Sequence, residues 1–262
     1  MTERLVGSDV VDGVGIVSFN RPARHNAIDD AMGEAWADAV TASLSDPAVR
    51  CVLLRGEGPS FSSGRDTAQL GRRVAGEHDY DFVRRHQRLR EATLDATKPI
   101  VAAVRGYALG GGFEIALSAD MRIAATDAQL GFPEIRYGLV PDTGGTQLLT
   151  ALVGPARAKW LVISGARIGA DEAHRWGVVD WVVEPDHLDV RALDLCRQLA
   201  AAPPTAAAMA KQLVDHAWRE TVRSGMRAEL LAQTALFAGE EHRQAKAAAI
   251  AAAGHGRAAQ ER

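Results

Sequence analysis

Apolar residues recur along this chain with two different periods, and these predict a succession of strands and helices. Alternation over residues 15–19, GIVSF, predicts a half-buried strand. Near-continuous apolar runs over 49–54, VRCVLL, and 99–104, PIVAAV, predict buried strands. Apolar residues spaced three and four apart from Met32 to Leu44 predict a helix that packs on a sheet. This pattern is typical of an α/β protein.

The same alternation of elements continues through the middle of the chain. Residues 121–125 predict another short strand, and residues 129–137, QLGFPEIRY, predict an extended segment. Two consecutive helices follow, the second of which begins at Pro155. A short helix over 169–176 and a strand over 178–183 complete this part.

The composition changes after Pro185, where alanine dominates and the remaining apolar residues fall at helical spacing. We therefore divide the chain into a core, residues 1–190, and a helical region, residues 191–262. The helical region carries an apolar stripe larger than a monomer usually covers, which indicates subunit packing. The stripe consists of Leu230, Leu231, Leu236 and Phe237.

The segment 71–96 is rich in charge and predicts a solvated helix. Its arginines alternate with acidic residues, which favours an exposed surface over a nucleic-acid-binding patch. These arginines are Arg84, Arg85, Arg88 and Arg90.

Composition and net charge exclude several classes of protein. The chain is 47% hydrophobic and 24% charged, and its net charge of -3 gives no bulk attraction to nucleic acid or to an anionic membrane. No run of about 18 apolar residues and no targeting segment occurs, so we expect a cytoplasmic protein. Cys51 and Cys196 are expected as buried free thiols. The eight histidines do not cluster at ligand spacings, and no metal site is expected.

The strand at 99–104 leads into a glycine-rich turn, GYALGGG, and a helix that begins near Gly111. The first N–H groups of a helix have no partner within it, and glycine lets a ligand approach them closely. Glu114 falls in the first turn, so a carboxylate lies beside backbone donors. This combination suits a reaction that generates an oxyanion and moves a proton. The turn lacks the glycine spacing of a dinucleotide fold and the lysine of a phosphate loop, while tight helix packing remains an alternative explanation.

Four motifs occur in order: NRPARHNA at 20–27, FSSGRD at 61–66, GYALGGGFE at 106–114 and QLGFPEIRYGLVPDTGGTQ at 129–147. Together they resemble the crotonase superfamily, and in particular enoyl-CoA hydratase/isomerase sequences. The resemblance implies an α/β core of repeated ββα turns wound as a superhelix. It also implies a helical C-terminal region that forms trimers, and often a dimer of trimers.

The resemblance assigns roles to individual residues. It implies that the backbone N–H groups of Arg65 and Gly111 bind the thioester carbonyl as an oxyanion hole, with no need for the Arg65 side chain. It implies that Glu114 activates a water molecule and that Glu134 supplies the proton to the α-carbon. Contacts to coenzyme A are implied for Arg24, Ala27, Ser63 and Asp66.

The resemblance predicts an enoyl-CoA hydratase of fatty acid metabolism, which adds water syn to a trans-2-enoyl-CoA. It needs no cofactor, because coenzyme A enters as part of the substrate. Asp142 departs from the common hydratase pattern and occupies the position of a catalytic acid in several isomerases and a dehalogenase. An enoyl-CoA or dienoyl-CoA isomerase that uses Asp142 or Glu134 is therefore the alternative. A non-catalytic acyl-CoA-binding or RNA-binding subunit is a further alternative, which the three retained acids disfavour.

Overall fold

A computed structural model describes residues 4–69, 75–217, 230, 231, 233, 235, 239, 240, 243 and 244. The chain forms two compact units, Met1–Leu199 and Ala200–Arg262. Among the described helices, none combines the length and the apolar character needed to cross a bilayer. The residues with candidate chemistry belong to the first unit.

Six strands form the main sheet of the first unit. They are β1 Val6–Val11, β2 Val14–Phe19, β3 Cys51–Gly56, β4 Ile100–Val104, β6 Met121–Ala125 and β9 Trp181–Val183. Their order is β1-β2-β3-β4-β6-β9, and every pair except β1 with β2 is parallel. All five residues of β4 are buried, because a central parallel strand is covered on both faces.

Three shorter strands form a second sheet: β5 Tyr107–Leu109, β7 Gln129–Gly131 and β8 Arg167–Gly169. The helices are α1 Asp30–Ser45, α2 Asp79–Leu94, α3 Gly111–Ser118, α4 Gly145–Ser164, α5 Ala170–Arg175, α6 Leu188–Ala200 and α7 Pro204–Ala217. Gly154, with a non-helical φ of 76°, divides α4 into two parts, which confirms the prediction of two consecutive helices. Twice the chain passes from the main sheet to the second sheet and then into a helix, in β4-β5-α3 and in β6-β7-α4. These are ββα turns of the kind that the resemblance implies.

Aromatic residues fill the space between the main sheet and α1. Phe19 stacks on Trp36 with ring centroids 6.2 Å apart and meets the edge of Phe61 at 5.7 Å. The helix begins where Asp29 accepts a hydrogen bond from the Met32 N–H at 2.9 Å, as an N-cap. The core and the cap together fix the first turn of α1, which borders the candidate site.

The pattern analysis missed strand β1. Asp12 and Gly13 have φ angles of 52° and 79° and join β1 to β2. A two-residue Asp-Gly loop is a strong signal for a β-hairpin, because both residues tolerate positive φ. This dipeptide was therefore the signal that would have revealed β1.

The prediction of an extended segment over residues 129–137 is wrong in its second half. Strand β7 ends at Gly131, and Pro133–Tyr137 is a 3₁₀ helix with proline in its first turn. The fixed φ of proline suits the first turn of a helix. Glu134 therefore lies in a helical turn.

The prediction of a solvated helix over 71–96 is partly wrong. Helix α2 forms within this range and packs against α1 and α3. One of its faces is covered, since Arg90 is only 6% exposed and Thr93 only 1%. A helix of high average charge thus contributes a buried face to the first unit.

Cys51 and Cys196 are free and buried, which confirms that prediction. In the predicted apolar stripe, Leu230 is 65% and Leu231 73% exposed, while Leu236 and Phe237 lie outside the described residues. The predicted boundary at 190/191 stays a prediction.

Candidate active site

Two chain segments approach each other closely at the centre of the candidate site. Ser62 bridges to Ala108 in parallel, and the Leu109 N–H donates to the Ser62 carbonyl at 3.0 Å. Gly64 follows with a φ of 86°, and a Cβ there would lie 2.4 Å from the Leu109 oxygen and 3.4 Å from the Gly111 nitrogen. Only glycine fits this approach without strain.

The N–H groups of Arg65 and Gly111 emerge from these two segments. Within the described part of the chain, neither donates a hydrogen bond to the protein. A Cβ built on Gly111 would meet no atom within 4 Å. The two donors are therefore free to bind an oxygen atom of a ligand.

Gly110 and Gly112, on either side of Gly111 at the start of α3, must be glycine for two different reasons. Gly110 has a φ of 52°, and a Cβ there would lie 2.7 Å from an oxygen of Glu134. A Cβ on Gly112 would lie 2.6 Å from the carbonyl oxygen of Ser62. Tight helix packing, the alternative explanation, thus applies to Gly112, while Gly110 makes room for a carboxylate.

Glu114 is a buried carboxylate whose oxygens are held by the loop before α4. It is 2% exposed. Its Oε1 accepts hydrogen bonds from the N–H groups of Thr143 at 2.8 Å and Gly145 at 2.9 Å, and its Oε2 accepts one from the Thr143 hydroxyl at 2.7 Å. Burial raises the pKa of Glu114, and the three donors oppose this rise because they stabilise the ionised form.

Glu134 has the opposite environment. Its Oε2 is buried and has no hydrogen-bond partner among the described residues. Burial, with the negative charges of Glu114 and Asp142, raises the pKa of Glu134 to about 7. Near neutral pH this carboxyl group therefore carries a proton for part of the time, whereas an ordinary glutamate does not.

Asp142 lines the cavity and is exposed to solvent. The surrounding protein still raises its pKa by removing water from around the carboxyl group, and nearby basic side chains, among them Arg90 and Arg65, oppose this rise. The backbone carbonyl oxygen of Asp142 accepts a hydrogen bond from the side-chain amide of Gln87, on α2, at 2.9 Å.

A cavity of about 410 Å³ connects these groups. The structure brings together in its wall five predicted site residues: Arg65, Gly111, Glu114, Glu134 and Asp142. The apolar part of the wall comes from α2 and from the end of the 3₁₀ helix with the residues after it: Phe82, Val83, Leu89, Tyr137, Leu139 and Val140. Sequence reasoning recognised Phe82 and Leu89 as the apolar positions of α2, but it missed the α2 wall because the high charge predicted a solvated helix.

The side chain of Arg65 also lines this cavity, which the sequence did not indicate. Its Nη1 lies 2.5 Å from Asp30 Oδ1 and 3.3 Å from His86 Nε2. His86 Nδ1 lies 2.8 Å from the carbonyl oxygen of Phe82, so Nδ1 carries the proton and Nε2 accepts from Arg65. The Arg65 side chain therefore joins α1 to α2 beside the two free N–H groups.

The four residues with implied coenzyme A contacts form one cluster outside the cavity. The Ser63 N–H donates to the backbone carbonyl of His25, which follows Arg24, at 2.8 Å. The Asp66 N–H donates to the backbone carbonyl of Ile28, which follows Ala27, at 2.9 Å. Arg21, which the sequence analysis missed, donates to the Ala27 carbonyl at 3.1 Å and to Asp66 at 2.7 Å. The hydrogen bond from Arg21 lowers the pKa of Asp66 and engages its carboxylate.

Comparison with known proteins gives consistent results. A family model described as enoyl-CoA hydratase/isomerase matches residues 9–250. The chain is 35% identical over 238 residues to a short-chain-enoyl-CoA hydratase from Clostridium acetobutylicum, covering 90% of this chain and 91% of that one. It is 38% identical over 213 residues to a carnitinyl-CoA dehydratase from Salmonella arizonae, covering 80% of each. A crystal structure of an enoyl-CoA hydratase subunit I from Geobacillus kaustophilus superposes with a TM-score of 0.87 at 34% identity, covering 94% and 95% of the two chains.

Replacing Gly64 by alanine tests the close approach. We expect Gly64→Ala to lower kcat by about 10²-fold or more, because the new methyl group displaces Leu109 and with it one of the two donors. Gly177→Ala is the matched control, since Gly177 has a similar φ of 79° with no atom within 4 Å of its Cβ. Equal loss of activity in both variants would contradict this explanation.

The raised pKa of Glu134 predicts a pH dependence of stability. Its ordinary pKa of 4.5 rises to about 7 in the folded protein, so the stabilisation it contributes is full below pH 4.5 and is lost as the pH rises through 7. Glu134→Gln should therefore be more stable than the parent protein at pH 8 by about 1–3 kcal/mol, and similar to it at pH 5. Denaturant unfolding at both pH values measures this.

The control is Glu34→Gln, because Glu34 is exposed on α1. Its effect should be the same at both pH values. A Glu134→Gln effect that does not change with pH would contradict the raised pKa.

Proposed function

Since the chain belongs to the enoyl-CoA hydratase/isomerase family, we propose that it adds water across the double bond of a trans-2-enoyl-CoA. The observation that carries this proposal is one cavity with two free N–H groups and two carboxyl groups in different environments. One carboxyl group, Glu114, has three donors, and the other, Glu134, has an oxygen without a partner.

The N–H groups of Arg65 and Gly111 bind the thioester oxygen. When water attacks the β-carbon, negative charge moves onto this oxygen and an enolate forms. Each donor directed at the developing charge contributes ~3–4 kcal/mol of stabilisation. The positive end of the α3 dipole also lies at Gly111 and favours the enolate.

The two glutamates divide the proton transfers. Glu114, whose donors favour the ionised form, accepts a proton from the attacking water. Glu134, whose pKa is raised to about 7, gives its proton to the α-carbon as the enolate collapses. Both steps occur on one face of the double bond, so the addition is syn. The reaction needs no further cofactor.

Coenzyme A itself is bound by the segment of Arg24, Ala27, Ser63 and Asp66. This assignment is supported by their position next to Ile28 and Arg65 in the chain, since both of those residues line the cavity. Arg21 occupies the Ala27 carbonyl and the Asp66 carboxylate. These two residues therefore contact coenzyme A through other backbone groups or hold the segment in place.

An isomerase that uses Asp142 or Glu134 is the second candidate. Asp142 lines the cavity and has a raised pKa, so it could move a proton between two carbons. The hydratase is favoured because Glu114, rather than Asp142, is the carboxylate with three donors. A non-catalytic subunit would leave the raised pKa of Glu134 without a use.

The active form is a trimer or a dimer of trimers in the cytoplasm, with residues 1–190 as the catalytic core and 191–262 as the assembly region. The exposed Leu230 and Leu231 support subunit packing. The free thiols of Cys51 and Cys196 are consistent with a reducing compartment.

Conservative substitutions separate the two reactions. We expect Glu114→Gln and Glu134→Gln each to lower the hydration of crotonyl-CoA by ~10²-fold or more, and Asp142→Asn to cost much less. Assays with crotonyl-CoA and with a 3-enoyl-CoA, followed by product identification, measure this. If Asp142→Asn abolishes turnover of the 3-enoyl-CoA while Glu114→Gln leaves it intact, the isomerase is the correct function.

The assembly proposal is tested by light scattering. We expect a mass of three or six chains at micromolar concentration, and replacing Leu230 and Leu231 by serine should shift it towards the monomer. A stable monomer of the parent protein would contradict the proposal.

A further inference from the structure

Arg90 is a buried cation that the mechanism above does not use. It lies on α2, is 6% exposed, and places its guanidinium carbon 4.9 Å from the centre of the Trp36 ring. Its Nε and Nη1 have no hydrogen-bond partner among the described residues. Because buried N–H groups are nearly always paired, two unpaired donors on one buried arginine are unusual and point to a role in recognition for this side chain.

The other arginines near the site have acidic partners. Arg65 pairs with Asp30 at 2.5 Å, and Arg85 pairs with Glu77 at 3.0 Å. The negative charge of Glu114 acts on Arg90, but the hydrogen bonds that Glu114 accepts come from Thr143 and Gly145. Burial lowers the pKa of Arg90 to about 10, and Glu114 and Asp142 oppose this, so the side chain is charged at neutral pH.

Arg90 also lies where two cavities adjoin. The catalytic cavity of about 410 Å³ and a second one of about 500 Å³ share Arg90, Val140, Asp142 and Thr143 in their walls. The second cavity has further polar residues, which are Arg84, Gln87, Glu91, Thr146 and Gln147. An acyl chain that extends from the oxyanion hole past Glu114 would therefore pass from apolar walls to a polar end beside Arg90.

We propose that Arg90 selects 2-enoyl-CoA substrates whose acyl chain ends in a carboxylate. This inference rests on the proposed hydratase function and names its substrate class. A cation–π contact with Trp36 holds the guanidinium in place, and a guanidinium has donors of the geometry that carboxylates accept. A terminal carboxylate beside the guanidinium would offset the cost of its buried charge, which an alkyl chain leaves uncompensated. A site built around a buried polar group discriminates strongly against the apolar analogue.

The test compares thioesters of matched size. Trans-2-enoyl-CoA substrates with one to three methylene groups after the double bond are prepared with a carboxylate, a carboxamide or an isopropyl end. We expect kcat/KM of the parent protein to be ~10²-fold higher for the best carboxylate than for its isopropyl counterpart. Arg90→Met should reduce this ratio by ~10²-fold, and Arg90→Lys, which keeps the charge, should restore part of it.

Arg88→Met is the matched control, because Arg88 is exposed on the same helix, and its substrate ratio should equal that of the parent. Thermal unfolding verifies that each variant is folded. The inference is wrong if the parent protein prefers the isopropyl-terminated substrates. It is also wrong if Arg90→Met lowers kcat/KM equally for all three terminal groups, because Arg90 then only affects the pKa of neighbouring groups. A preference for the carboxamide over the carboxylate would also overturn it.

Binding measurements separate this inference from the proposed function. Glutaryl-CoA and its isopropyl-terminated counterpart are saturated, so their binding does not depend on turnover. Calorimetric titration should show tighter binding of glutaryl-CoA, which Arg90→Met abolishes. Failure to hydrate any thioester, crotonyl-CoA included, would reject the hydratase function, and the calorimetric preference would still decide the role of Arg90.

Discussion

The contact between the segment at Gly64 and the segment at Leu109 is the constraint on which the site depends. A Cβ at Gly64 would lie 2.4 Å from the Leu109 carbonyl oxygen, so the two backbones touch without an intervening side chain. Because the contact is between backbones, the direction of both free N–H groups follows from the fold itself. Side chains elsewhere in the cavity can vary while this pair of donors stays in place.

Three carboxyl groups share the cavity beside these donors, and the protein limits their repulsion in three ways. Glu114 receives hydrogen bonds from Thr143 and Gly145. Glu134 is held partly protonated near neutral pH by a raised pKa. Asp142 is exposed to solvent. Different environments for similar side chains are how one cavity can contain both an acid and a base.

Helix α2 contributes to the site in two ways that its charged composition does not indicate. Its outer face is charged and exposed, while its inner face presents Phe82, Leu89 and Arg90 to the cavity. The Arg65 side chain and His86 connect this helix to α1 and to the segment that contains the free Arg65 N–H. The same helix therefore carries Arg90, for which we propose substrate discrimination, and contacts the segment of the two free N–H groups.

The sequence by itself determined the order of most strands and helices, because hydrophobic period is a local property. Its four motifs also identified Arg65, Gly111, Glu114, Glu134 and Asp142, which the structure brings into one cavity. Local pattern failed at two elements. It missed β1, and it predicted an extended chain where Pro133 begins a 3₁₀ helix, because proline is compatible with both structures.

Only the tertiary structure decided which charged residues are buried. In the sequence Arg88 and Arg90 are two arginines of one polar helix, yet one is exposed and the other is stacked on Trp36. The same holds for the protonation of Glu134, since its pKa depends on Glu114 and Asp142, which other segments of the chain bring close. Burial and charge proximity are set by residues distant in the chain, and no local pattern records them.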